Sequence, residues 1–107
     1  MRIISCYKLK KNADKEEFKR YLKEKDIPAG NKIPHVISYL QTEVQEVVGL
    51  DIDCDFVEIW EVDTDKETWE KREWKNKSEF NWINELDKVA VSFVDVDSAK
   101  TFYLNDI

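Results

Sequence analysis

Strand-like and helix-like periodicities follow one another along this chain in the order β-α-β-β-α-β, and few architectures accept that order. Residues 2–10 (RIISCYKLK) contain neither Gly nor Pro. They place Ile3, Ser5, Tyr7 and Leu9 on one parity and Ile4, Cys6 and Lys8 on the other, as a strand does. Asp14 is a good N-cap, and Glu17 three residues later comes close to a capping box. Phe18, Tyr21 and Leu22 share a side at helical spacing, which predicts a helix over 15–25. Pro28 is expected to end it, because the residue before a proline is pushed out of the α region. Residues 26–35 (DIPAGNKIPH) gather Gly and Pro and read as a loop.

A second strand is expected over about 35–46. Gly49 with Asp51-Ile52-Asp53 suggests a hairpin-like connection, and 54–62 (CDFVEIWEV) carries the densest β signal. Thr64-Asp65-Lys66-Glu67 reads as a capping box opening a helix that bears Trp69 and Trp74. After a break near 76–78, Trp82, Leu86, Val89, Phe93 and Val96 recur at helical spacing, so a helix is expected to about 95. The β-branched residues of 90–96 also suit a strand. A last strand is expected over 100–106.

The order is that of the split βαβ unit, which predicts an α+β, ferredoxin-like sandwich as a single domain over 1–107. Both helices would cover one sheet face. The other face, expected to carry Ile4, Cys6, Phe56 and Trp60, would be bare and apolar, which predicts a homodimer. A domain this small hides only about 60–65% of its unfolded surface, so a second copy helps.

The composition removes several classes of function. Seventeen Lys+Arg against 23 Asp+Glu give a net charge of -6, which disfavours nucleic acid and anionic membranes as partners. No apolar run approaches membrane-spanning length, and the first residues lead straight into a strand, so a cytoplasmic location is expected. Cys6 and Cys54 match no metal or redox spacing and read as buried free thiols. One His and two Cys cannot build a zinc shell, and two Gly cannot build a phosphate loop. Neither a metal nor a cofactor is expected.

Four segments carry a family likeness. RIISCYKLK precedes an acidic helix with Glu16-Glu17-Phe18. Asp26-Ile27-Pro28-Ala29 is followed by Ile33-Pro34-His35-Val36 and Ser38-Tyr39. Asp55-Phe56-Val57-Glu58-Ile59-Trp60-Glu61-Val62-Asp63 comes next, and Thr101-Phe102-Tyr103-Leu104 closes the set. In this order they resemble the HapK/RedY-like family, found with prodiginine and bis-indole pathways. The likeness implies the dimeric α/β-barrel superfamily, with cyclases, cofactor-independent monooxygenases and non-catalytic members. It also implies a ligand pocket between helices and sheet, although fold alone does not deliver the reaction.

In that frame the chemistry-bearing candidates are Asp26, His35 and Tyr7. Asp26 matches the family's D-L-P aspartate, and faces the unfavourable end of a helix dipole. A turn-forming role and an acid/base role both fit it. His35, the single histidine, is either a solvated loop residue or a proton shuttle. Tyr7 is either a core aromatic or a ligand contact, with Ser5 beside it. Val57 and Ile59 are expected to line the same cavity, while Phe56 and Trp60 face the partner copy. Phe18, Leu22, Trp69 and Phe80 complete the ligand-contacting set, with Tyr39, whose facing the pattern does not fix. Lys77-Ser78-Glu79-Phe80 stands where some cyclases of this fold carry H-P-x-H, which counts against that subgroup.

These readings favour small-molecule biosynthesis: cyclisation, dehydration or isomerisation of an aromatic, indole/pyrrole- or polyketide-like intermediate without a cofactor. A non-catalytic binding protein or pathway chaperone is the first alternative. A cofactor-independent monooxygenase is the second.

Overall fold

In the computed structural model, which describes residues 1–49 and 53–107, β1 (Arg2–Leu9) runs through the middle of a four-stranded antiparallel sheet. The strand order is β2-β3-β1-β4, with β2 at Val36–Glu43, β3 at Phe56–Val62 and β4 at Val94–Leu104. This is the ferredoxin-like α+β arrangement expected from the order of elements. Among the described residues no helix is long and apolar enough to cross a membrane.

The first helical stretch differs from expectation in an informative way. Asp14 caps α1 (Lys15–Tyr21), accepting from the Glu17 amide at 3.1 Å, as the pattern suggested. The helix does not stop before Pro28. It widens into a π-helical segment over Leu22–Asp26 and continues as α2 (Ile27–Gly30). A proline ring clashes with the carbonyl four residues back in a regular α-helix. The wider π turn, in which the Ile27 amide donates to the Leu22 carbonyl, accommodates the ring. The loop is therefore confined to 31–35.

The second helical half is broken into short pieces. Asp65, not Thr64, caps α3 (Lys66–Lys71), accepting from the Thr68 amide at 2.7 Å. Arg72 ends it in the left-handed conformation (φ 41°), and two 3₁₀ turns (Glu73–Asn76, Ser78–Phe80) lead to α4 (Asn81–Phe93). α4 passes directly into β4, so the β-branched run of 90–96 is divided between helix and strand. Cys6 and Cys54 are free thiols, half-buried rather than buried. Of the expected connection after β2, Asp51 and Ile52 lie outside the described residues.

The register fixes which face each strand presents. Tyr7 stands opposite Phe56, Ser5 opposite Glu58 and Ile3 opposite Trp60, and Trp60 in turn opposite Tyr39. Opposed residues in antiparallel strands project from the same face. Phe56 and Trp60 thus lie on the helix-covered face with Tyr7, and the expectation that they meet a partner copy is corrected. Phe56 is 2% exposed and packs edge-on to Phe18 at 5.1 Å. Val57 and Ile59, expected in the cavity, oppose Cys6 and Ile4 on the uncovered face. β3 is bulky at every position except Glu58 and Glu61, so alternation alone gives no facing.

The core lies wholly on the helix side. One cluster joins Tyr7, Phe18, Leu22 and Phe56, and a second joins Ile3, Val62 and Trp69. Between them sits the cavity described next.

Candidate functional site

Along α1, the π segment and α2, the residues Phe18, Leu22, Asp26 and Gly30 recur every fourth position and all line one cavity of about 310 Å³. In an α-helix such a row drifts by about 40° at each step. The π turn takes a smaller angle per residue and brings the row back toward the sheet, so Asp26 remains aimed inward. π-Helical turns recur at functional sites for this kind of reason.

The cavity floor is the helix-side face of the sheet. Tyr7, Tyr39, Gln41 and Glu58 project from it, and they form one hydrogen-bonded band with Asp26. The Tyr7 hydroxyl donates to Gln41 Oε1 at 2.7 Å. Gln41 Nε2 donates to the Tyr39 hydroxyl at 2.6 Å and to Glu58 Oε2 at 3.0 Å. The Tyr39 hydroxyl in turn donates to Asp26 Oδ2. Trp60 Nε1 donates to Glu58 Oε1 at 2.7 Å. The roof is α4, which presents Ile83, Leu86 and Ala90 together with Asp87. Tyr21 ties roof to wall by donating to the Leu86 carbonyl at 2.9 Å.

Two features hold Tyr39 in place. Its ring stacks on Trp60 with centroids 3.8 Å apart, and on its other side it lies against Gly30, where a methyl group would overlap the ring. Its backbone is clasped by Asn31, whose side chain accepts from the Tyr39 amide at 3.0 Å and donates to the Tyr39 carbonyl at 2.9 Å. Asn31 also reaches the Ile27 carbonyl at 2.8 Å, so one residue caps α2 and fastens the edge strand.

Burial dominates the electrostatics. It pushes the Glu58 carboxyl above its ordinary value, with Asp26 adding to the shift and the Trp60 and Gln41 donors opposing it. It pushes the Asp26 carboxyl up as well, against the Tyr39 hydrogen bond. The Tyr7 and Tyr39 hydroxyls are raised by burial and by the neighbouring carboxylates, so both stay protonated as donors. A carboxylate near another is harder to ionise than one standing alone.

The candidates from sequence divide cleanly by position. Tyr7, Asp26, Ser5, Phe18, Leu22, Tyr39 and Trp69 all line the cavity. His35 does not. It is exposed in the loop before β2 at φ 70°, with Nδ1 3.0 Å from Asp63 Oδ1. Phe80 packs edge-on to Trp74 outside the lining, and Val57 and Ile59 are on the other face. Sequence reasoning missed Gln41 and Glu58. The signal was present in F-x-E-x-W, where two large aromatics flank a carboxylate on one parity. The largest side chains of a strand belong under the helices, and Glu58 goes with them.

A wider apolar groove continues outward between α2 and α4. It shares Trp82 and Leu86 with the cavity lining.

Several solved structures share this fold. HapK from Hahella chejuensis matches with a TM-score of 0.68 at 15% identity, covering 98% of this chain and 93% of that one. At3g17210 from Arabidopsis thaliana matches at 0.69 and 10% identity, covering 99% and 96%. An ethyl tert-butyl ether d (ethd) family protein from Bacillus halodurans matches at 0.65 and 15% identity, covering 97% of each chain. At these identities the likeness is one of fold. No curated protein matches the sequence. Residues 1–99 match the family described as REDY-like protein HapK, and the chain belongs to that family.

Proposed function

We propose that the chain serves small-molecule biosynthesis as a cofactor-free acid–base catalyst. It acts on an aromatic, indole/pyrrole- or polyketide-like intermediate held between the sheet and α4. The observation that carries this reading is the pair of half-buried carboxyls, Asp26 and Glu58, joined through Tyr39 and Gln41 across the cavity. Coupled carboxyls with raised proton affinity supply an acid and a base from the same pair. In an enolisation, one carboxylate takes the carbon-bound proton while a Tyr7 or Tyr39 hydroxyl donates a hydrogen bond to the carbonyl oxygen. Cyclisation, dehydration and isomerisation of a conjugated ring system all pass through such a proton transfer.

The test is deuterium uptake at the methyl group of acetylpyrrole in heavy water, followed by proton NMR. The protein is expected to speed uptake above the buffer rate, with Asp26→Asn and Glu58→Gln each removing most of the gain. Binding of the probe without any gain would favour a non-catalytic binding protein. That second reading is supported by the band's own closure: every fully buried side-chain polar atom among the described residues has a protein partner.

We further propose that the chain forms a homodimer through the uncovered sheet face. The register aligns Leu40, Ile59, Ile4 and Phe102 in one apolar row across all four strands.

A further inference from the structure

The cavity wall is acidic out of proportion to its cations. Asp26, Glu58 and Asp87 line it against a single Arg72, and of the three only Asp87 has a cation of its own, Lys75 Nζ at 2.7 Å. Arg72 is committed elsewhere in part: its Nε donates to the Trp69 carbonyl at 3.0 Å and its guanidinium lies 4.8 Å from the Trp69 ring centroid. Neither Asp26 nor Glu58 has an ion-pair partner among the described residues. Burying a carboxylate without a counter-charge is costly, and a pair is costlier still.

The same wall supplies aromatic faces. Tyr39 stacks on Trp60, Trp60 lies 5.5 Å from Trp69, and all three line the chamber. Carboxylates set beside aromatic faces suit a ring that carries positive charge or strong N–H donors. A metal ion fits poorly, because among the described residues no three His, Cys, Asp or Glu side chains are placed to hold one.

Resting on the reading of this cavity as the ligand chamber, we propose that it selects a cationic nitrogen-bearing aromatic, such as a ring with an amine or a protonated imine, and rejects carboxylated and phosphorylated rings. The nitrogen end enters first and meets Asp26 and Glu58. The ring body stacks beside Trp60 and Trp69, and any apolar extension leaves through the groove past Trp82 and Leu86. The ligand's positive charge then supplies the counter-charge that no ion pair among the described residues gives Asp26 or Glu58.

Calorimetric titration at neutral pH with tryptamine, skatole and indoleacetate tests this, since the three share one ring system and differ in charge. Tryptamine is expected to bind about tenfold or more tighter than skatole, and indoleacetate the most weakly. In Glu58→Gln and Asp26→Asn, checked for folding by thermal melting, the tryptamine advantage is expected to shrink toward the skatole value. Indoleacetate binding as tightly as tryptamine would overturn the proposal, as would equal binding of tryptamine and skatole. Either result leaves the chamber itself intact. Binding of none of the three up to millimolar concentration would remove both the selectivity and the chamber. Should a variant fail to fold, the comparison of the three probes on the unaltered protein decides alone.

Discussion

Asp26 and Glu58 are held in surroundings that resist their ionisation, and that has a consequence for stability. A carboxyl whose proton affinity is raised by folding is favourable to the folded state below its unfolded pKa, near 4, and that contribution is lost as pH rises through the folded value. The groups facing the pair are Tyr7, Tyr39, Gln41, Arg72 and Asp87, and of these only Arg72 carries positive charge. Glu58→Gln and Asp26→Asn remove the ionisation and keep a similar shape. Both variants are therefore expected to gain melting temperature relative to the unaltered protein at pH 8 and to lose that advantage toward pH 4. Melting curves of the three proteins at both pH values check the sign; an advantage that is larger at pH 4 contradicts it. Gly30 is the other residue with a sharp requirement. A Cβ there overlaps the Tyr39 ring, which is already pinned by Trp60. Gly30→Ala is expected to destabilise by about 1–3 kcal/mol in urea unfolding, the usual penalty for forcing volume into a packed site. It should weaken ligand binding as well, because Tyr39 is displaced from Asp26.

The helix that ends in α2 and the edge strand β2 behave as one unit because Asn31 bridges them. Asn31→Ala strips the Tyr39 amide and carbonyl of their side-chain partners and uncaps α2. An unsatisfied backbone group at a partly buried position costs about 1–3 kcal/mol. The readout is local: amide exchange at Tyr39 should accelerate, while exchange in the central strand β1 should follow only the global loss of stability. Unchanged exchange at Tyr39 would contradict the bridging role. The elements themselves were largely legible in the sequence, because caps and periodicities act over a few residues. Asp14 marked the start of α1, and the parity of Ile3, Ser5 and Tyr7 marked β1. What failed were features settled by distant partners. Pro28 ends an ordinary helix, but here the π turn absorbs it and keeps Asp26 in the cavity. The facing of β3 is fixed by Tyr7 standing opposite Phe56, which no local pattern reveals. With that facing inverted, Glu58 and Gln41 were lost from the site, and Val57 and Ile59 were wrongly brought into it. His35 was suggested by its chemistry alone, and its loop holds it outside.

At the scale of the whole molecule, the sheet is finished on one side only. On the uncovered face, Leu40 and Phe102 are 41% and 53% exposed, and Ile59 and Ile4 lie between them in the same row. Thr42, Val57, Cys6 and Lys100 form the next row along. An apolar row that crosses a whole sheet is unusual on a monomer. A two-fold axis lets one such face cover its own copy, since an isologous contact needs only self-complementarity. The proposed dimer predicts a particle of twice 12.8 kDa in sedimentation equilibrium at micromolar concentration. Ile59→Lys places a charge in the centre of that row, where a dimer would have to bury it without a partner. Neither Ile59 nor Ile4 belongs to the core clusters under the helices, so the variant is expected to fold and to sediment near 12.8 kDa. The cavity lies on the opposite side of the sheet, so probe binding by the folded monomer should persist. A single 12.8 kDa species for the unaltered protein would remove the dimer, and would leave the ligand chamber standing, because every residue of its polar band comes from one chain.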